Sequence, residues 1–185
     1  MGPVKELKEE HKLIKVMLLV LTEISRRLET GEAVKMEHLD QILEFIRVFL
    51  EECHQGKEEM LFFYAMEETG TSEEELPISL LLKEHQKGHQ YIQKLAGARG
   101  LMQKSKSKRL LPVITGNARS YVELLTRHIE MEEGVLYPAA EKRISEKRQE
   151  QLSREFEILE RGKAVPVRCE KFPDLVHHLK SIYLD

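Results

Sequence analysis

Apolar residues recur along this chain at steps of three and four, the spacing that lines one face of a helix. The first stripe, Leu7, Ile14, Leu18, Leu21 and Leu28, predicts a helix from about Val4 to Glu29 that stops at Thr30 and Gly31. A second begins after Lys35 and carries Leu39, Leu43, Ile46, Leu50, Leu61 and Phe62 to about Glu68, before Gly70 interrupts it. The third is expected to open at Thr71 or Ser72 as N-cap, with Glu73 to Glu75 and Pro77 in its first turn. It carries Leu80, Leu81, Leu82, Ile92 and Leu95 and fades at Gly97 and Gly100 into the run Lys104 to Lys108. The fourth opens near Leu110, accepts Pro112 in its first turn, and passes Tyr121, Leu125 and Leu136 towards Arg143. Four long helices joined by short polar turns predict an all-α fold, an up-down-up-down four-helix bundle over residues 1–144.

Residues 145–185 read as a C-terminal helical extension packed on that bundle. Ser145 to Arg161 is highly charged, with Leu152, Phe156 and Leu159 as a thin apolar stripe. After Gly162 and Pro166, the residues Phe172, Leu175, Val176, Leu179 and Ile182 form one more amphipathic face. No internal sequence repeat or low-complexity linker marks a second domain.

Composition narrows the class. A chain of 185 residues, 41% hydrophobic and 33% charged, can bury one core and lacks the make-up of a disordered segment. A net charge of −3 gives no basis for a nucleic-acid partner. The longest apolar run, Val16 to Leu21, is too short to cross a membrane. Nothing at the N-terminus resembles a signal peptide, and Pro3 and Glu6 do not fit a myristoylation site. Cys53 and Cys169, far apart in sequence, read as free thiols, so a cytoplasmic location is expected.

The histidines then change the picture. In an antiparallel hairpin, residues equally far from the turn lie at one height, because each residue rises about 1.5 Å. His11 and His54 are centred between Glu32 and Ala33. Glu58 with His85, and His54 with His89, are centred between Thr71 and Ser72. His85 with Glu132, and His89 with His128, are centred between Lys108 and Arg109. All three centres fall on expected turns, so the seven side chains are predicted to meet in one layer inside the bundle. Burying so many imidazoles and carboxylates without a counter-charge costs several kcal/mol, an objection that a bound metal removes. Five imidazoles and two carboxylates exceed the needs of a four-coordinate zinc site. They suit two iron ions, with Glu58 and Glu132 bridging and the histidines completing each ion from outside. Manganese is compatible with the same donors, and a coordination position is left for a small molecule.

The order His11, His54 with Glu58, His85 with His89, and His128 followed by Glu132 and Glu133 resembles the hemerythrin and hemerythrin-like HHE cation-binding domains. The stretch His128, Ile129, Glu130, Met131, Glu132, Glu133, Gly134, Val135, Leu136, Tyr137, Pro138 is especially similar. The resemblance covers about Val4 to Arg143. It implies a four-helix bundle holding a non-haem di-iron centre, with five terminal histidines and two bridging carboxylates. It also implies reversible dioxygen binding, sensing of oxygen, iron or nitric oxide, or iron handling and repair. In hemerythrin proper the last carboxylate is an aspartate one residue further from its histidine. This chain offers Glu132 four along and Glu133 five along, and the HHE spacing favours Glu132.

The leading expectation is binding of dioxygen or another small diatomic ligand for storage, transport or sensing. A di-iron redox enzyme or iron-handling protein is the alternative, reducing nitric oxide or peroxide or serving iron–sulfur repair. A histidine-rich donor set favours reversible binding over strong oxidation. Elsewhere, His38, His177 and His178 lack convergent partners and read as packing residues. Glu51 and His54 form an ExxH match with no second copy, which argues against a ferritin-like arrangement. Cys53 points about 100° away from His54 around the helix and reads as packing.

Overall fold

The computed structural model describes residues 2–70, 72, 76, 78–162 and 167–185. All regular structure among them is helical. Helix α1 spans Pro3–Thr30, with Pro3 supplying a pre-set φ at its start. It ends at Gly31, whose φ of 77° lets its N–H reach the carbonyl of Arg27, a left-handed cap that favours glycine. Helix α2 (Met36–Phe45) begins a long rod that continues through two π-helical stretches, π1 (Ile46–Gln55) and π2 (Glu58–Phe62), into α3 (Phe63–Glu67). Gly56 and Lys57 between them keep right-handed helical angles, so the rod is unbroken. The apolar stripe predicted the extent of this rod but not its hydrogen bonding. Turns closed i→i+5 are rare and gather at functional sites.

Helix α4 (Ile78–Ser105) runs straight through Gly97 and Gly100, where the sequence pattern fades. Glycine in a helix interior costs only about 1 kcal/mol against alanine, and the packing of α4 on its neighbour outweighs that. The expected first turn of this helix, with Thr71, Glu73 to Glu75 and Pro77, lies outside the described residues, as does Pro166. A 3₁₀ turn (Lys108–Leu110) leads into α5 (Leu111–Met131), which continues as π3 (Glu132–Leu136) and α6 (Tyr137–Arg143). Three further helices follow: α7 (Glu146–Gly162), α8 (Val167–Glu170) and α9 (Phe172–Tyr183).

The helices form a bundle in which α1 packs along α5 and α9, and α4 along α5. Gly88 sets the closeness of α4 and α5, because a Cβ there would lie 3.2 Å from the Tyr121 ring and 3.4 Å from Leu125. The apolar interior falls into two clusters. One holds Ile14, Leu21, Ile42, Phe45, Leu95 and Leu125. The other holds Leu7, Phe62, Leu81, Leu136 and Tyr137. The C-terminal helices belong to both: Leu152 and Phe156 of α7 lie in the second cluster, and Phe172, Val176 and Leu179 of α9 in the first. Phe172 meets Phe45 edge-on at 5.5 Å. Each such buried side chain contributes about 1.5–3 kcal/mol. No helix among the described residues is long and apolar enough to cross a membrane.

The cysteines differ from expectation. Cys53 of π1 and Cys169 of α8 form a disulfide, although 116 residues separate them. Sequence distance suggested free thiols, but α8 folds back against π1 and sets the two side by side.

Candidate metal centre

Between the two apolar clusters lies a layer of charge. Four helical stretches deliver it: α1 brings His11, π1 and π2 bring His54 and Glu58, α4 brings His85, and the α5–π3 rod brings His128 and Glu132. All six side chains are buried. They form two groups, His11, His54, Glu58 and Glu132, and Glu58, His85, His128 and Glu132. Within each group the candidate ligand atoms lie within 4.8 Å of one another, and the two carboxylates are common to both. The Nε2 atoms of His11 and His54 are 3.1 Å apart, and those of His85 and His128 are 2.9 Å apart.

The other nitrogen of each ring points outward to a carboxylate. His11 Nδ1 is 3.0 Å from Glu133, His54 Nδ1 2.8 Å from Glu10, His85 Nδ1 2.7 Å from Glu59, and His128 Nδ1 2.9 Å from Glu84. A carboxylate accepts and does not donate, so each Nδ1 carries a proton and each Nε2 faces inward, where its lone pair is available to a metal ion. Two lone pairs at 3 Å repel unless a cation or proton stands between them. Glu58 Oε2 and both oxygens of Glu132 accept no hydrogen bond, although His128 Nε2 lies 3.0 Å from Glu132 Oε1. Orphaned buried carboxylate oxygens facing imidazole lone pairs are a donor set that fits metal ions.

These contacts reveal a likeness between the two halves of the chain. Glu10 and His11 correspond to Glu84 and His85, and His54, Glu58 and Glu59 correspond to His128, Glu132 and Glu133. The steps agree, with 43 residues from His11 to His54 and from His85 to His128, and 44 from Glu10 to His54 and from Glu84 to His128. Away from the site only scattered positions agree, such as Leu7 with Leu81 and Leu50 with Leu124, so the sequence showed no repeat.

Residues 2–140 match the hemerythrin HHE cation binding domain. The chain belongs to the hemerythrin HHE family. Comparison with curated proteins and with solved structures gave no match. The hemerythrin-like region contains all six clustered residues, whereas α7, α8 and α9 lie beyond it.

One expected member of the layer stands apart. His89 is half exposed, with Nδ1 3.0 Å from Glu51 and Nε2 accepting from Gln93 at 2.7 Å. His85 and His128 are equally far from Lys106 and Ser107, the two non-helical residues between α4 and the 3₁₀ turn. The sequence reading centred that turn two residues later, which displaced the pairing by one helical turn. The two adjacent carboxylates are also placed differently: Glu132 is buried within the cluster, while Glu133 sits outside it between His11 and Lys15.

Charge in the layer is finely balanced. Burial, reinforced by Glu132, pushes the Glu58 carboxyl well above its usual range. For Glu132 burial acts the same way, but His128 and His11 outweigh it and hold the carboxyl well below that range. Burial opposes charge on His128, yet Glu132 and Glu84 push it up to about 9. Tyr137, fully buried, donates to Glu58 Oε1 at 2.9 Å.

Sequence reasoning missed the outer carboxylates and Lys57. The signal for the former was present, since each is the acidic neighbour of a candidate ligand. Lys57 is fully buried and bonds Glu6 at 2.7 Å and Glu10 at 2.6 Å, with Glu160 of α7 completing its cage. Its ammonium also lies 5.7 Å from the Phe156 ring centre.

Proposed function

We propose that this hemerythrin-family chain holds two iron ions and binds dioxygen reversibly. In this reading residues 1–144 form the up-down-up-down four-helix bundle and residues 145–185 its C-terminal extension. The supporting observation is the pair of His/Glu groups that share Glu58 and Glu132. His11 and His54 would hold one ion, His85 and His128 the other, and the shared carboxylates would join them. His89 is left out of the set. Two ferrous ions held there would supply the two electrons that reversible dioxygen capture requires.

The remaining residues act by placement. Glu10, Glu59, Glu84 and Glu133 fix each imidazole in the tautomer that aims Nε2 inward and raise its basicity. The apolar clusters above and below keep water away from the layer, which suits reversible binding better than turnover. Two histidines and two shared carboxylates would offer each ion four donor groups, fewer than the six of octahedral coordination, which would leave room for a small molecule. The test is the visible spectrum of anaerobically reduced, iron-loaded protein before oxygen, after oxygen and after degassing. A band that appears and then fades supports the reading, and irreversible oxidation favours a redox enzyme or iron-handling role instead.

A further inference from the structure

The two halves of the centre part company at one position. Following each HxxxEE segment an aromatic ring lies nearly parallel to a candidate ligand ring: Tyr137 against His11 at 21° and 5.4 Å, Phe63 against His85 at 22° and 6.0 Å. The placements match and the chemistry does not, because only the tyrosine carries a hydroxyl. Its oxygen donates to Glu58 Oε1 at 2.9 Å and lies 3.3 Å from His11 Nε2.

That bond makes the two shared carboxylates unequal. Glu58 has Oε1 engaged, and its Oε2 lies 3.6 Å from both His54 Nε2 and His85 Nε2. Glu132 keeps both oxygens free of hydrogen bonds, with Oε1 3.0 Å from His128 Nε2 and Oε2 3.3 Å from His11 Nε2. One carboxylate therefore faces the two histidine pairs with a single oxygen, the other with one oxygen for each.

We propose that Tyr137 is a positioning residue that makes the two iron positions inequivalent, by placing a phenol oxygen beside the His11/His54 position alone while it holds the shared Glu58 by one oxygen. The inference rests on the two-iron reading above. A hydroxyl that merely satisfied itself in the core would leave the irons alike.

Mössbauer spectroscopy of protein loaded anaerobically with ⁵⁷Fe(II), together with iron content, separates these cases. Wild-type protein should hold two irons per chain and show two quadrupole doublets of equal area. Tyr137→Phe, which gives both halves a phenylalanine, should keep two irons while the doublets merge towards one. Adding Phe63→Tyr to that variant should restore two doublets by moving the hydroxyl to the other half. Two irons with a single doublet in the wild type overturn the inference whatever the variants do, and so does an unchanged splitting in Tyr137→Phe. Failure to take up iron overturns both this inference and the reading beneath it.

Discussion

Lys57 stands one carboxylate away from His54. Glu10 accepts from the ammonium at 2.6 Å and from the imidazole at 2.8 Å, so a fully buried cation helps fix the ring of a candidate ligand. The position corresponding to Lys57 in the second half is Met131, which shows that the fold accommodates a flexible apolar side chain there. Lys57→Met should nonetheless destabilise the protein by about 3 kcal/mol, because it strands three carboxylates gathered around one buried ammonium, and the partial exposure of Glu6 and Glu160 keeps the loss at the low end. Urea unfolding of the variant measures it, and a loss below about 1 kcal/mol would show that the cage reorganises freely.

Glu10 and Glu84 occupy equivalent places behind His54 and His128. Glu10→Gln and Glu84→Gln should each weaken metal binding about 10- to 100-fold without abolishing it. His54→Ala and His128→Ala should remove binding altogether. Competition against a chelator ranks the four variants, and equal affinity of both glutamine variants and the wild type would deny these carboxylates a role.

His89 separates the structural arrangement from the one the sequence alone suggested. His89→Ala should retain the full metal stoichiometry, whereas His85→Ala, one turn away, should lose it. Metal analysis of the two purified variants decides the matter. Loss of one equivalent in His89→Ala would return that residue to the ligand set.

His38 reports on the docking of α9. Its Nδ1 is hydrogen-bonded with the Tyr183 hydroxyl at 2.8 Å, and burial, aided by Lys35 and His178, holds its pKa below the ordinary value while Glu37 opposes the shift. The folded state thus favours the neutral ring. Its contribution is fully present above the unfolded-state pKa of about 6.5 and is lost as pH falls through the lower folded-state value. Thermal unfolding of wild type and His38→Gln between about pH 7.5 and 5 should show the wild type losing more stability on acidification. Parallel curves would mean that His38 titrates normally.

The end of α1 at Gly31 and the apolar face of α9 were legible because glycine and apolar spacing act locally. Most of the candidate site was legible too, since equal distance from a turn is a sequence quantity. The π-helical stretches were not, because one apolar stripe serves a rod whether its turns close at i+4 or i+5. His89 was misplaced because the true centre of the α4–α5 connection depends on where a 3₁₀ turn begins, which Lys and Ser residues do not announce. Lys57 and the Cys53–Cys169 bond were invisible for a third reason: each depends on α7 or α8 returning to the bundle, a long-range contact with no local signature.

The most direct measurement is metal stoichiometry. Calorimetric titration of the full chain with Fe(II) under anaerobic conditions, checked by elemental analysis, should give two ions per chain in the wild type and none held tightly once both Glu58 and Glu132 are alanine. A wild-type chain that binds no iron, or that binds it equally well without those two carboxylates, would contradict the account.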